Sequence, residues 1–461
     1  MLFSSITFLY YYLPLVIISY FISPKKYKNL ILLIFSLTFY FYGEGKLTII
    51  LLFTCIFNFF IAKQIDKQTN IKKRKQYLII GLIINIGILI YYKYTNFLIE
   101  NINNIFNINI KYLSVIMPLG ISFFTFQTIS YLIDVYKKDV KASKKIINLS
   151  TYISLFPQLV AGPIVRYKTI NEELEKRQSN IEKISYGISR FIIGLSKKVL
   201  IANNLGLLID NLNNINTTTL STILISISFT LQIYFDFSGY SDMAIGLGKI
   251  FGFDFLENFN YPFISKSITE FWRRWHISLS SFFKDYIYIP LGGSKCSKLK
   301  WVRNILIVWS LTGLWHGAQW NFIIWGLFFA IILLIEKLLI KKHLENKKIL
   351  SHIYTIVIVL ISFTIFNSNT LNELITNLKN ITGLSNIDLI NKETIYYLKS
   401  NLVLLAISII GSTPLLKNIY LKIKDKKIIK VLEVIILFIL LIIITAQLVN
   451  SSFNPFLYFR F

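Results

Sequence analysis

Charge is what this sequence has least of. Only 16% of its 461 residues are Asp, Glu, Lys or Arg, against about a quarter in a soluble domain. Acidic side chains are the scarcer sign, 23 against 49 basic ones, which leaves a formal net charge of +26. The deficit, beside 54% hydrophobic residues in repeated apolar runs, excludes a soluble globular enzyme, a disordered chain and a coiled coil. Cysteine is nearly absent. Cys55 lies in an apolar run and Cys296 in a basic loop, so there is neither a disulfide framework nor a metal-ligand cluster. The amino terminus has no positive region ahead of its first apolar stretch, and reads as a first permanent span, not a cleaved signal. A net positive charge invites nucleic acid as a partner. Here the basic residues are parcelled into short loops between apolar runs, as orientation in a membrane requires, so the bilayer is the partner and nucleic acid is set aside.

What the sequence has is apolar length. Runs fit to cross a bilayer fall near 6–23, 29–42, 47–62, 77–93, 113–135, 184–206, 219–235, 302–315, 318–336, 353–366, 400–415 and 430–449. The runs at 29–42, 302–315 and 353–366 are short enough to be tilted, buried or re-entrant. Ten to twelve spans are expected, in one all-α polytopic membrane domain over 1–461. One set of loops is lysine-rich, at 25–28, 63–75, 137–145, 337–348 and 417–430. The other is rich in Asn and Thr, at 96–109, 210–219 and 367–392. The positive-inside rule puts the first set in the cytoplasm and the second outside, with Met1 on the outer side. Between Asn148 and Arg166, Pro157, Gly162 and Pro163 interrupt an apolar stretch, which fits a kinked or re-entrant segment. From Tyr261 to Arg303 no clean span occurs, and a half-buried helix group on the cytoplasmic side is expected.

Tryptophan is confined. All seven lie in the 54 residues from Trp272 to Trp325, where an interfacial belt would scatter them over many span ends. One aromatic-walled pocket accounts for that. His276 and His316 share the window, each directly after a tryptophan (Trp275 and Trp315), whereas His343 and His352 sit by a lysine loop as surface residues. An ionisable residue at membrane depth is a functional candidate, and a neutral imidazole is a natural general base. The competing reading of His316 is a buried histidine bonded to a neighbouring helix. No H-x-x-x-H pair or local ligand cluster calls for a metal. If TEFWRRWHISLSSFFKDY is one helix, Trp272, Trp275 and Leu279 share a face with His276 beside them.

Arginine is rare, eight residues against forty-one lysines, so the adjacent Arg273 and Arg274 stand out. Guanidinium forks suit phosphate or carboxylate; the alternatives are anchoring at headgroups or ion pairs with Asp236 and Asp242. Those two carboxylates lie with Ser238 and Ser241 in the apolar segment 234–255, where Gly239, Gly246 and Gly248 permit close helix approach. They would serve a proton path or a substrate hydroxyl, or pair with the two arginines to build the fold; the structural role is favoured.

These segments, in this order, resemble the membrane-bound O-acyltransferase family, nearest its bacterial alginate O-acetyltransferase branch. The resemblance rests on FPQLVAGPIVRY (156–167), the unbroken stretch from Tyr234 to Gly293, LTGLWHGAQWNFIIWG (311–326) and NPFLYFRF (454–461). It implies a ring of tilted helices around a central tunnel, a catalytic segment at about 234–326, His316 as the catalytic residue and His276 as its companion. Trp272, Arg273, Arg274, Trp275, Trp315, Asp236 and Asp242 are the accompanying candidates for donor and substrate contact. It further implies a bacterial cell-membrane protein with no bound cofactor. Acetyl-CoA or another acyl thioester would be the co-substrate, and an extracytoplasmic glycan the acceptor, with an SGNH-type exported partner. Two stretches depart from the branch: Arg460 stands where glutamine is expected, and FNS at 366–368 where Phe-Arg-Ala is usual. Both are expected to lie away from the histidines and so bear on accessory contacts more than on the chemistry.

Two other functions compete. The D-alanyl transferase branch, which modifies teichoic acids from a carrier protein, has SGPIDRY-like and AGYSMFAIG-like segments; this chain has AGPIVRY and SGYSDMAIG. A transporter or flippase would show inverted repeats and coupling acids on several spans, and the confinement of Trp and His argues against it. The acceptor, the acyl group and the oligomeric state are written in no motif of the sequence.

Overall fold

The computed structural model describes residues 2–160, 162–340, 343 and 347–450. Among them every regular element is helical, as a backbone that must satisfy itself in hydrocarbon requires. The chain is an all-helical multi-pass membrane protein. Each of the twelve apolar runs is helical over most of its length. Among the described residues seven stretches are long and apolar enough to cross, or eight if the bent pair Lys392–Ser400 and Leu402–Gly411 counts as one. That is fewer than the ten to twelve expected, for identifiable reasons. The runs at 29–42 and 47–62 share one helical stretch, Lys25–Lys67. Those at 6–23 and 113–135 form the shorter helices Thr7–Ile22 and Ile121–Lys137. The run at 302–315 belongs to a helix whose first turns carry Lys298, Lys300 and Arg303. By contrast 353–366, expected to be short, lies in the full-length helix Lys348–Asn367. The terminal segment 454–461, with Arg460, lies outside the described residues.

Two compact units divide the chain, Met1–Phe191 with Ser241–Leu256, and Ile192–Tyr240 with Glu257–Phe461. In the first, polar residues pair across helices: Asn58 and Asn85 exchange amide hydrogen bonds of 3.0 and 2.9 Å. The interrupted segment is broken as expected, into Ile146–Ser154 and Phe156–Leu159. Asp242 accepts two hydrogen bonds from Arg190, at 2.9 and 2.6 Å.

The second unit holds the aromatic window. Helices α1 (Ile181–Ser196) and α2 (Thr219–Phe251) run through both units, and within this one a methyl group on Gly239 would collide with the Gly194 carbonyl oxygen. Beside them Lys198 forms a buried ion pair of 2.6 Å with Asp236. Helix α3 (Ile268–Arg274) and helix α4 (Ile277–Phe283) replace the single helix expected there. The break is at His276, whose φ of 44° is left-handed, a conformation rare for a residue with a β-carbon. Helix α5 (Lys298–His316) and helix α6 (Trp320–Ile335) form an antiparallel hairpin, followed by α7 (Lys348–Asn367). A π-helical turn, Glu336–Ile340, extends α6. Its Glu336 carboxylate is buried and caps α3, accepting from the backbone N–H of Ile268 (2.6 Å) and Thr269 (3.0 Å).

Candidate active site

The α5–α6 hairpin is locked by glycines. A methyl on Gly313 would strike the Phe322 carbonyl oxygen, and one on Gly326 the Trp309 carbonyl oxygen. The two helices therefore touch backbone to backbone. Lysines mark both open ends, Lys298 and Lys300 on one side and Lys337 on the other, which puts both ends on the cytoplasmic side. His316 is the last residue of α5, so the hairpin carries it inward at its tip. The thirteen residues of Asn304–His316 correspond to roughly 20 Å of helix. The imidazole is 5% exposed. Trp315 and Trp325 each lie 4.9 Å from it and Phe366 5.3 Å, all edge to face.

His276 is fully buried. Its ring meets Phe237 at 4.6 Å and Trp315 at 5.6 Å, so Trp315 contacts both histidines. Its Nδ1 lies 3.1 Å from Asn258 Oδ1. That oxygen also accepts from the Ser278 backbone N–H (3.1 Å) and hydroxyl (2.9 Å). An atom that receives a backbone N–H is the amide oxygen, so Nδ1 carries the proton and Nε2 the lone pair. His276 lies outside the spanning stretches, and burial, with the neighbouring His316 second, holds its pKa well below the ordinary histidine range. It is neutral at pH 7.

A cavity of about 210 Å³ lies against the hairpin, toward its lysine-bearing ends. Trp272 and Trp309, 4.6 Å apart and edge to face, form part of its wall. Thr312, one turn before His316, lines it, as do Lys284 and Lys337. Both lysines stand in π-helical turns, Lys284–Tyr288 and Glu336–Ile340. Such turns offset side chains from the regular helical rows and recur at functional sites.

Five of the seven tryptophans join this region: Trp272, Trp275, Trp309, Trp315 and Trp325. Trp320 is 55% exposed, and Trp301 sits under the Lys337 ammonium, 5.6 Å away. Trp275 stacks on Phe271 and packs against Phe363. Asp236 and Asp242 are ion-paired, as the structural reading had it, but not with Arg273 and Arg274: their partners are Lys198 and Arg190. Arg274 instead binds Glu270 (2.9 Å) and the Asn260 carbonyl (3.1 Å), and Arg273 is exposed. His352 is half-buried with Nδ1 at 3.2 Å from the Ser265 carbonyl, not a plain surface residue, while His343 is exposed. The FNS stretch is not remote, since its Phe366 touches His316. Sequence reasoning missed Asn258, Lys198 and Glu336. An asparagine and a glutamate near apolar helices were the available signals, but nothing nearby in sequence named their partners.

A model of the membrane-bound O-acyltransferase family matches residues 34–372. The probable alginate O-acetylase AlgI of Pseudomonas aeruginosa is 40% identical over 378 residues, 80% of this chain and 73% of that protein. The peptidoglycan O-acetyltransferase of Helicobacter pylori is 36% identical over 428 residues, 84% and 81% of the two chains. The teichoic acid D-alanyltransferase of Bacillus subtilis is 30% identical over a shorter stretch of 256 residues, 53% and 65%.

Proposed function

This chain belongs to the membrane-bound O-acyltransferase family, and from that premise we propose that it moves an acetyl group from a cytoplasmic thioester to an extracytoplasmic hydroxyl, with His316 as general base. It is an O-acyltransferase of the bacterial membrane, so the transporter reading falls away. The acetyl donor is favoured over a D-alanyl carrier by the greater identity and coverage of the two O-acetylating relatives. The observation that carries the assignment of His316 is its place at the hairpin tip, one turn beyond the Thr312 wall of a lysine-bearing, tryptophan-walled cavity.

An acyl-CoA carries several negative charges, which Lys284 and Lys337 attract. Tryptophan walls keep water from its thioester. His316 takes the proton of the acceptor hydroxyl as its oxygen bonds to the thioester carbon. The carbon–sulfur bond breaks, and the proton passes from the imidazole to the departing sulfur. An oxyanion needs hydrogen-bond donors. Neutral His276 has its donor committed to Asn258 and offers an acceptor at Nε2, so oxyanion stabilisation falls to other groups. His276 holds the partners of the proton transfer in place. The hydroxyl belongs to a glycan, or to an exported SGNH-type partner that passes the group on.

The test is turnover of labelled acetyl-CoA by protein in nanodiscs with cell-envelope acceptor, wild type beside His316→Ala. Label that moves only when His316 is present supports the reading. Equal turnover by both removes His316 from the chemistry. Activity confined to a D-alanyl carrier donor replaces the acetyl assignment.

A further inference from the structure

The second unit holds another cavity, of about 300 Å³, on the side that the lysine distribution assigns to the exterior. Its wall comes from residues 206–217, from α2 between Ser221 and Gln232, and from residues 363–377. Amides and hydroxyls dominate it: Asn213, Asn367, Asn377 and Gln232 line it, and Thr364 donates to the Ser226 hydroxyl at 3.1 Å. Two carboxylates, Asp210 and Glu373, lie in the wall, and among the described lining residues there is no Lys, Arg or His. Glu373 is fixed there by a capping box. Its carboxylate accepts from the Asn369 N–H at 2.9 Å, and its own N–H donates to Thr370 Oγ1 at 3.1 Å. Phe363 lines the cavity, and Phe366, one turn on in the same helix, packs on His316. Lys379 and Lys392, on the same outer segment, and Lys198, which is paired with Asp236, do not line the cavity.

We propose that this cavity receives the acceptor glycan and selects sugar chains that carry no acid on the ring, neutral or N-acylated pyranoses over uronates and phosphosugars. The inference rests on the acetyl-transfer reading and narrows its acceptor. Sugar hydroxyls both donate and accept, and a wall of Asn, Gln, Ser and Thr side chains answers both roles. At the low end of ligand pockets, which run to roughly 300–1,000 Å³, it takes a short stretch of extended chain. A uronate ring brings a carboxylate against Asp210 and Glu373 with no cation in the wall to pair with it, and like charges so placed are rejected. Alginate, in the name of the Pseudomonas aeruginosa relative, has such a carboxylate on every ring. This chain shares that relative's sequence over most of its length, and its outer wall is unsuited to that polymer.

The experiment reads occupancy, not turnover. Asn213→Cys, at the exposed end of the helix Asn203–Asn213, is made with Cys296→Ser, leaving Cys55 buried. Its rate of maleimide labelling is measured in nanodiscs with a neutral N-acetylglucosamine tetrasaccharide or a mannuronate tetrasaccharide, and repeated at Asn369→Cys in case the first variant misfolds. The neutral chain slows labelling by about threefold or more while the uronate leaves it unchanged, the sign expected of like-charge exclusion. With Asp210→Asn and Glu373→Gln added, where glutamine keeps the cap, the uronate protects as well. Protection of the wild-type wall by the uronate, or by neither sugar, overturns the proposal. Protection without acetyl transfer would leave this inference standing and defeat the acetyl-transfer reading; transfer without protection does the reverse.

Discussion

Two cavities of the second unit share almost no chemistry. The inner one is built of tryptophan, leucine and phenylalanine with two lysines; the outer one is built of amides and hydroxyls with two carboxylates. His316 lines neither: Thr312 of the inner wall lies one helical turn before it in α5, and Phe363 of the outer wall lies one turn before Phe366, whose ring packs on His316. On the proposed function an anionic, partly apolar thioester would be drawn into the first and would have nothing to pair with in the second. A hydrated sugar finds hydrogen-bond partners in the second and few in the first. The contrast would separate the substrates of the proposed reaction by chemistry.

The comparison breaks first at its centre. His316→Ala removes the group both cavities serve, and transfer is expected to fall by about 10²–10⁴-fold, the range for a lost general base, with both sugar occupancy and donor binding retained. If donor binding vanished as well, the residue would be part of the wall and not the shared centre. Next comes Asn258→Ala, which frees His276 Nδ1 from its acceptor. A misplaced imidazole is expected to cost up to about 10²-fold in kcat, with the KM of each substrate unmoved. A rise in either KM would tie His276 to one cavity only.

The inner cavity is sharpened by Lys284→Met with Lys337→Met. Each lysine contributes about 1 kcal/mol of attraction to an anion at a membrane surface, so the donor KM is expected to rise roughly fivefold per residue. Its salt dependence should flatten. The acceptor KM should stay put, and a steady-state series at varied ionic strength reads all three. An unchanged salt dependence would remove the lysines from donor capture.

Much of this was legible before the fold. The charge deficit pointed to the membrane class, and the confinement of seven tryptophans and two histidines to one window marked the candidate site, because composition survives any arrangement of helices. The break at His276 was not legible. Trp272, Trp275 and Leu279 keep helical spacing across it, and only a positive φ at a histidine, which periodicity does not register, ends the helix. Ion-pair partners were misread for a related reason. Arg273 and Arg274 are the nearest arginines downstream of Asp236 and Asp242, but pairing follows helix contact, and α2 meets Lys198 and Arg190. Phe366 and Asn258 are 50 and 18 residues from the histidines they touch. No spacing rule reaches that far.

The smallest effects discriminate most finely, because they leave the fold alone. Thr312 lines the inner cavity and its hydroxyl already donates to the Val308 carbonyl at 2.7 Å within its own helix. Thr312→Val keeps the shape and removes one polar group beside the donor. Gln232 lines the outer cavity from α2 and is buried; Gln232→Leu keeps its length and removes an amide beside the acceptor. A hydrogen bond is worth about 0.5–1.5 kcal/mol, so each change is expected to move one KM by roughly two- to tenfold. The two should not cross: Thr312→Val moves only the donor KM and Gln232→Leu only the acceptor KM. Bisubstrate kinetics on the pair decides it, since coupled shifts would mean that the two cavities form a single compartment and that the sorting of substrates lies elsewhere.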